Sequence, residues 1–170
     1  MSALTIADLP FIEQVADGMH PFSALLAACG GHDGDSRRRW ALAHIARRAQ
    51  DEDSIRAIMD AADTAVSGIA GDNDVMTALA ENEAVPLDLL VRLAWNPYLI
   101  VSELAAKSPR LPVAELRRLA ASGPLGARCG VAVNPAAPGG VRDVLARDPD
   151  ELVRARVAAW HRYAQSLEAS

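Results

Sequence analysis

From Val75 to Ala159 the chain reads VMTALAENEAVPLDLLVRLAWNPYLIVSELAAKSPRLPVAELRRLAASGPLGARCGVAVNPAAPGGVRDVLARDPDELVRARVAA, and this stretch repeats itself. Pro86, Pro112 and Pro138 stand 26 residues apart, as do the pairs Leu93-Ala94, Leu119-Ala120 and Leu145-Ala146. Asn82, Ser108 and Asn134 keep the same step, and Trp160 is next in register. Asn96-Pro97 and Asp148-Pro149 lie two steps apart, with Ser122-Gly123 between them. A period of roughly 20–50 residues marks a stacked repeat array.

Each unit holds two short apolar segments separated by helix-breaking residues. In the middle unit Val101, Leu104 and Ala105 lie on one helical face, and Ser108-Pro109-Arg110-Leu111-Pro112 follows. Proline lacks the amide donor and biases its predecessor away from α, so the first helix is expected to stop near Lys107. Pro112 suits the first turn of a second helix. That helix carries Val113, Leu116, Leu119 and Ala120 and stops at Ser122-Gly123-Pro124. Helices of about ten residues are marginal alone, because the nucleus is costly and few hydrogen bonds repay it. Stacking one pair on the next buries the apolar faces. Two columns are expected in the core: Val75, Val101, Ala127 and Val153, and Leu93, Leu119 and Leu145.

A short helix, then Asn/Ser-Pro-x-x-Pro, then a Leu-rich helix ending Leu-Ala-x-x-Pro resembles the leucine-rich repeat variant proteins, a helical-repeat family akin to HEAT repeats. Asn134-Pro135-Ala136-Ala137-Pro138 and Ser108-Pro109-Arg110-Leu111-Pro112 match best, and Asn82-Glu83-Ala84-Val85-Pro86 lacks the first proline. The resemblance covers about half the chain. It implies an all-α fold, a right-handed α-solenoid of stacked short helix pairs with a 26-residue period over residues 75–159. Within each unit one helix is either 3₁₀ or α. The iron–sulfur module of the founding member needs clustered cysteines, and this chain has only Cys29 and Cys129. No cofactor is therefore expected.

The 170 residues fit a single helical-repeat domain. Residues 1–35 read as N-terminal capping helices, with Leu4, Ile6, Leu9, Ile12 and Val15 in the first and Phe22, Leu25, Leu26 and Cys29 in the second. Residues 36–73 read as a longer HEAT-like pair outside the 26-residue register. Its first helix passes through Trp40, Ala43, His44 and Arg47, and its second through Ile55, Ile58, Met59, Ala62 and Val66. Regular repeats occupy 74–163, and 164–170 reads as a tail.

Half the residues are apolar, yet aromatics number seven, and sixteen of seventeen basic residues are arginine. The abundance of Arg and Ala is what GC-rich, bacterial coding produces. Net charge is −5 but unevenly placed: residues 1–85 carry 14 acids and 6 bases, residues 86–170 carry 8 acids and 11 bases. The acidic total argues against a general nucleic-acid binder and leaves room for a local basic patch. Two distant cysteines in apolar company fit neither a disulfide framework nor a metal knuckle. No basic residue precedes Arg37, so a signal peptide would lack its charged start, and no apolar run approaches a membrane span. The expected compartment is the cytoplasm.

Each chemical candidate has a plainer account. His20, His32, Asp33 and Asp35 fit turn and capping roles better than a zinc site. Asp72-Asn73-Asp74 opens like a calcium loop but lacks its glycine and distal glutamate, so a helix cap is preferred. No metal site and no catalytic residue is assigned. Gly139-Gly140 replaces Val113-Ala114 and weakens that helix start. Arg37-Arg38-Arg39 with Trp40 and Arg47-Arg48 suits phosphate or an acidic partner, but a solvated face is preferred.

The expected function is a non-catalytic helical-repeat module that binds a protein partner. One alternative is a nucleic-acid-acting enzyme of the HEAT-like-repeat DNA glycosylase type, which needs Trp95 or Trp160 beside Asp88 or Asp143 in an arginine-lined groove. Another is a regulatory subunit of a neighbouring enzyme. Register aligns surface positions as well as core ones. Met76, Ser102, Arg128 and Arg154 share a position off the apolar face, and Arg92 and Arg118 share another. With Trp95, the candidate binding residues are Arg92, Arg118, Arg128 and Arg154, an anion-seeking stripe on the C-terminal half.

Overall fold

The computed structural model describes residues 36–64 and 73–168. The N-terminal capping segment, Cys29 and the His20, His32, Asp33 and Asp35 group lie outside them. The described residues form nine helices and no strand, as the absence of period-two alternation requires. The chain divides into two compact units, the first ending at Leu89 and the second beginning at Leu90.

The first unit holds α1 (Ser36–Arg48), α2 (Glu52–Thr64), α3 (Asn73–Glu81) and the start of α4 (Leu87–Ala94). The acidic junction opens α2 by capping it. Asp51 accepts the Ser54 amide at 2.7 Å, and Glu52 and Asp53 place negative charge on the positive end of the helix dipole. Helices α1 and α2 both pack against α3. Leu42, Ile45, Ile55, Ile58, Met59, Val75 and Leu79 fill the space between them, each at most 2 % exposed.

The second unit completes α4 and adds α5 (Leu99–Lys107), α6 (Val113–Ser122), α7 (Leu125–Ala132), α8 (Gly139–Leu145) and α9 (Glu151–Glu168). As expected, α5 stops at Lys107. Pro112 takes the N-cap position of α6 rather than its first turn, and its carbonyl accepts the Glu115 and Leu116 amides at 2.9 and 3.0 Å. Pro124 and Pro138 do the same for α7 and α8. A proline φ near −60° fits the cap as well as the first turn, and the extended ψ of about 145–160° turns the chain into the helix. Both expected core columns are fully buried: Val75, Val101, Ala127, Val153, Leu93, Leu119 and Leu145 are 0 % exposed. Leu104 is only half-buried.

Helix α7 is the hub of the second unit, packing most closely on α5 and also touching α6, α8 and α9. Its sequence, LGARCGVA, is small enough to allow this. A Cβ on Gly126 would collide with the Leu99 carbonyl and Ser102 Oγ, and one on Gly130 with the Glu103 carbonyl and the Ala106 methyl. Gly139 and Gly140 differ, since a Cβ there meets nothing within 4 Å. They weaken the start of α8 without serving a close approach. Residues 164–168, assigned to a tail on sequence grounds, instead continue α9. No proline or glycine follows Pro149 to end that helix earlier.

Candidate functional site

The site is built from the turns between helices, where asparagine and arginine side chains meet carbonyls that a helix end leaves unbonded. In the second unit Asn134 is fully buried. Its amide donates to the Ala106 and Ser108 carbonyls at the end of α5, both at 2.8 Å, while Oδ1 accepts the Ala136 amide at 2.8 Å. Asn82 makes the same bracket in the first unit. It donates to the Ala46 and Ala49 carbonyls at 2.6 and 2.8 Å and accepts from the Ala84 amide at 2.7 Å. Asn96 and Asp148 keep the accepting half, taking the Tyr98 and Asp150 amides at 2.8 and 2.9 Å. An amide can donate twice and accept once from one buried position, which a hydroxyl cannot.

Two arginines of the expected stripe, Arg128 and Arg154, bond the same kind of turn. Arg128 donates from Nε to Asp148 at 2.8 Å and from Nη1 to the Gly123 carbonyl at 2.8 Å. Asp148 is 7 % exposed, so this is a shielded pair. Arg154 gives Nη1 to the Asp148 and Pro149 carbonyls at 2.7 and 2.9 Å. The column they share is not a surface column: Met76 and Ser102 are buried, Arg128 is half-buried and Arg154 is exposed. These helices pack on more than one side, so a position off the main apolar face still meets a neighbour. Arg92 is exposed on α4.

Trp95 and Arg118 do come together, around a residue the sequence reading passed over. Glu115, 7 % exposed, accepts the Trp95 indole N–H and pairs with Arg118 at 2.6 Å. The Arg118 guanidinium lies 5.6 Å from the Trp95 ring centre. The carboxylate of Glu115 is the shielded centre of the cluster, bonded by the indole and by one arm of Arg118, whose side chain otherwise faces solvent. Asp88 is held by Arg56 at 2.8 and 3.1 Å, and those bonds lower its pKa.

A second arginine–tryptophan contact lies at the other end of the unit. Arg142 is 7 % exposed and sits 4.3 Å from the centre of the Trp160 ring. Its fork donates to the Ala132, Asn134 and Ala137 carbonyls, and burial lowers its pKa. Trp160 is therefore covered by Arg142 on one face. Glu115 and Arg142 had a legible signal. They stand in register with Leu89 and Val141, and with Leu90 and Leu116, so each puts a charge into an apolar column. The free thiol of Cys129 is buried, and desolvation pushes its pKa up to about 11.

Among the described residues no three His, Cys, Asp or Glu side chains gather as metal ligands, and no helix is long and apolar enough to cross a membrane. Comparison with protein-family models, curated proteins and solved structures finds no match. Among the described residues one short run of large apolar side chains is exposed. Tyr98, Leu99 and Ile100 are consecutive at the start of α5 and 41 %, 37 % and 47 % exposed.

Proposed function

We propose that the chain is a cytoplasmic, non-catalytic helical-repeat module that binds a partner protein, as one right-handed stack of helix pairs. The repeat reading draws on the helix starts: Asn73, Leu99, Leu125 and Glu151 open one set, and Leu87, Val113 and Gly139 the other, at the spacing of the sequence repeat. It draws equally on the matching brackets of Asn82 and Asn134. Membership in the leucine-rich repeat variant or HEAT-like class is part of the proposal.

The observation that carries binding is the exposed run Tyr98-Leu99-Ile100. Neighbouring large apolar side chains left exposed are the kind of surface a partner covers, and tyrosine is enriched in contact surfaces. Arg92, exposed on α4, is proposed as a further contact. A nucleic-acid role draws less support, because the Trp95 indole N–H is held by Glu115 and Arg118 lies over its ring.

Affinity capture with the tagged chain tests this reading, with the double variant Tyr98→Asp/Ile100→Asp in parallel. The expected result is a protein retained by the parent and lost by the variant, at an unchanged far-UV circular dichroism spectrum. A capture list identical for both sinks the assignment. Retardation of damaged DNA at moderate salt by both chains would move the function to the nucleic-acid class, and an enzyme among the captured proteins would make the chain its regulatory subunit.

A further inference from the structure

The exposed charges in the helices around Tyr98-Leu99-Ile100 all have one sign. From Leu90 to Ser122 the cations are Arg92, Lys107, Arg110, Arg117 and Arg118, and all five are exposed. The two acids of that span are engaged within the protein. Glu115 is buried against Trp95 and Arg118, and Glu103, half-buried, holds Arg156 at 2.7 Å. This part of the surface is therefore positive in a chain whose net charge is −5.

Cations stand at both ends of the apolar run. At 100° per residue, Ile100, Leu104 and Lys107 succeed one another on one face of α5, so Lys107 closes that stripe about 10 Å along the axis from Ile100. At the other end Asn96 accepts the Tyr98 amide at 2.8 Å, in the turn that follows Trp95. Arg118 lies 5.6 Å from the Trp95 ring centre, uses one arm on Glu115, and has a side chain 67 % exposed. Glu115 and the ring hold this guanidinium in place, so its remaining donors lose less freedom when a carboxylate arrives.

We propose that the segment seated on Tyr98-Leu99-Ile100 is an acidic peptide of the partner protein, with apolar side chains at its centre and carboxylates on either side. This rests on the docking role proposed above for that run and names its occupant. Apolar burial supplies the affinity, while the cations reject basic segments and speed the approach of acidic ones. Two other anionic surfaces fit less well. Nucleic acid offers phosphates, but its bases stack on aromatic rings, and Leu99 and Ile100 have none. A membrane takes up the whole apolar face of a helix, whereas α5 turns Val101, Ala105 and Ala106 into the protein.

Selection from a displayed library of random short peptides, with the full chain as bait, reads the preference directly. The enriched peptides should carry Asp and Glu around a centre of Leu, Ile or Phe. For a synthetic copy of the most enriched peptide, fluorescence anisotropy should show affinity weakened about tenfold by Lys107→Glu, and further by raised salt. Arg118→Gln, which keeps a donor for Glu115, should weaken it too, at an unchanged helical spectrum. Arg147→Glu makes the same change of net charge after α8, outside the patch, and should leave the affinity as it is. Neutral or basic peptides that bind the parent and not Tyr98→Ser/Ile100→Ser would overturn the acidic partner and leave the docking run standing. Peptides that bind that double variant as well as the parent, or a library that yields none, would overturn both. Equal losses in Lys107→Glu and Arg147→Glu would reduce the effect to net charge and overturn the patch. Tighter retention on phosphatidylserine vesicles or single-stranded DNA than on the peptide, lost in Lys107→Glu, would also overturn it, in favour of a membrane or a nucleic acid.

Discussion

Replacing Asn134 tests the bracket that ties one helix end to the next turn. Its amide nitrogen lies 2.8 Å from two carbonyls and its oxygen 2.8 Å from one amide, all with the side chain at 0 % exposure. A net hydrogen bond stabilises by ~0.5–1.5 kcal/mol, so Asn134→Ala, which deletes three, should lower stability by about 2–4 kcal/mol. Asn134→Asp keeps the acceptor for Ala136 but sets a second oxygen against the Ala106 and Ser108 carbonyls. Burial and those lone pairs push the new carboxyl above its unfolded value of ~3.9. Below that value both states are protonated and the acid is a poor asparagine, still able to donate once. As the pH rises, the unfolded carboxyl ionises first and the folded one resists, so the unfolded state binds fewer protons and stability falls.

Urea unfolding followed by circular dichroism, for parent, Asn134→Ala and Asn134→Asp between pH 4 and 7, isolates the effect. Taking the difference between the two variants at each pH cancels titrations common to both. Asn134→Asp should lose ground steadily to Asn134→Ala across that window. A difference that stays flat with pH would mean that the amide does not face carbonyls, and the bracket reasoning would be refuted for Asn82 as well.

Glycine substitutions should split by environment: Gly140→Ala, with open space around the new methyl, should stabilise by about 0.4–1 kcal/mol. Gly130→Ala should destabilise by about 1–3 kcal/mol because α5 blocks the methyl, and thermal midpoints would order the two. Arg142→Ala removes a buried fork from three carbonyls and uncovers Trp160, so about 2–4 kcal/mol of stability should be lost. A red shift of tryptophan emission would accompany that loss. Cys129, with its thiol protonated at neutral pH and buried, should react with a disulfide reagent in a Cys29→Ser background only as fast as the chain opens; brisk labelling of the native chain would contradict this.

The helices and their core columns were legible because both follow from spacing. Val101 and Leu119 sit where a face repeats, and proline and glycine mark where the chain must stop and turn. Asn134 was visible as a register position, but not as a bracket, since its partners Ala106 and Ser108 lie at the end of α5, which only the packed chain brings near. Glu115 and Arg142 interrupt apolar columns, and that interruption was the available signal. What sequence periodicity could not supply was reach. The Arg142 fork reaches the Ala132, Asn134 and Ala137 carbonyls at once, and no apolar period marks those acceptors.

Arginine in register therefore has a structural meaning before any functional one. Arg128 gives Nη1 to the carbonyl of Gly123, and Arg154 gives Nη1 to that of Pro149. The two acceptors lie five residues back from their donors in each case, so the same brace recurs one repeat later. A column of such braces reproduces the sequence signature of an anion-binding stripe, because both demand a long cation at a fixed place. They differ under charge reversal. Arg128→Glu would set a carboxylate beside the buried Asp148 and strip the Gly123 carbonyl of its donor, so it should unfold before it merely stops binding. Loss of partner binding in that variant carries no information about contact, whereas loss in Tyr98→Asp/Ile100→Asp does, since those side chains already face water.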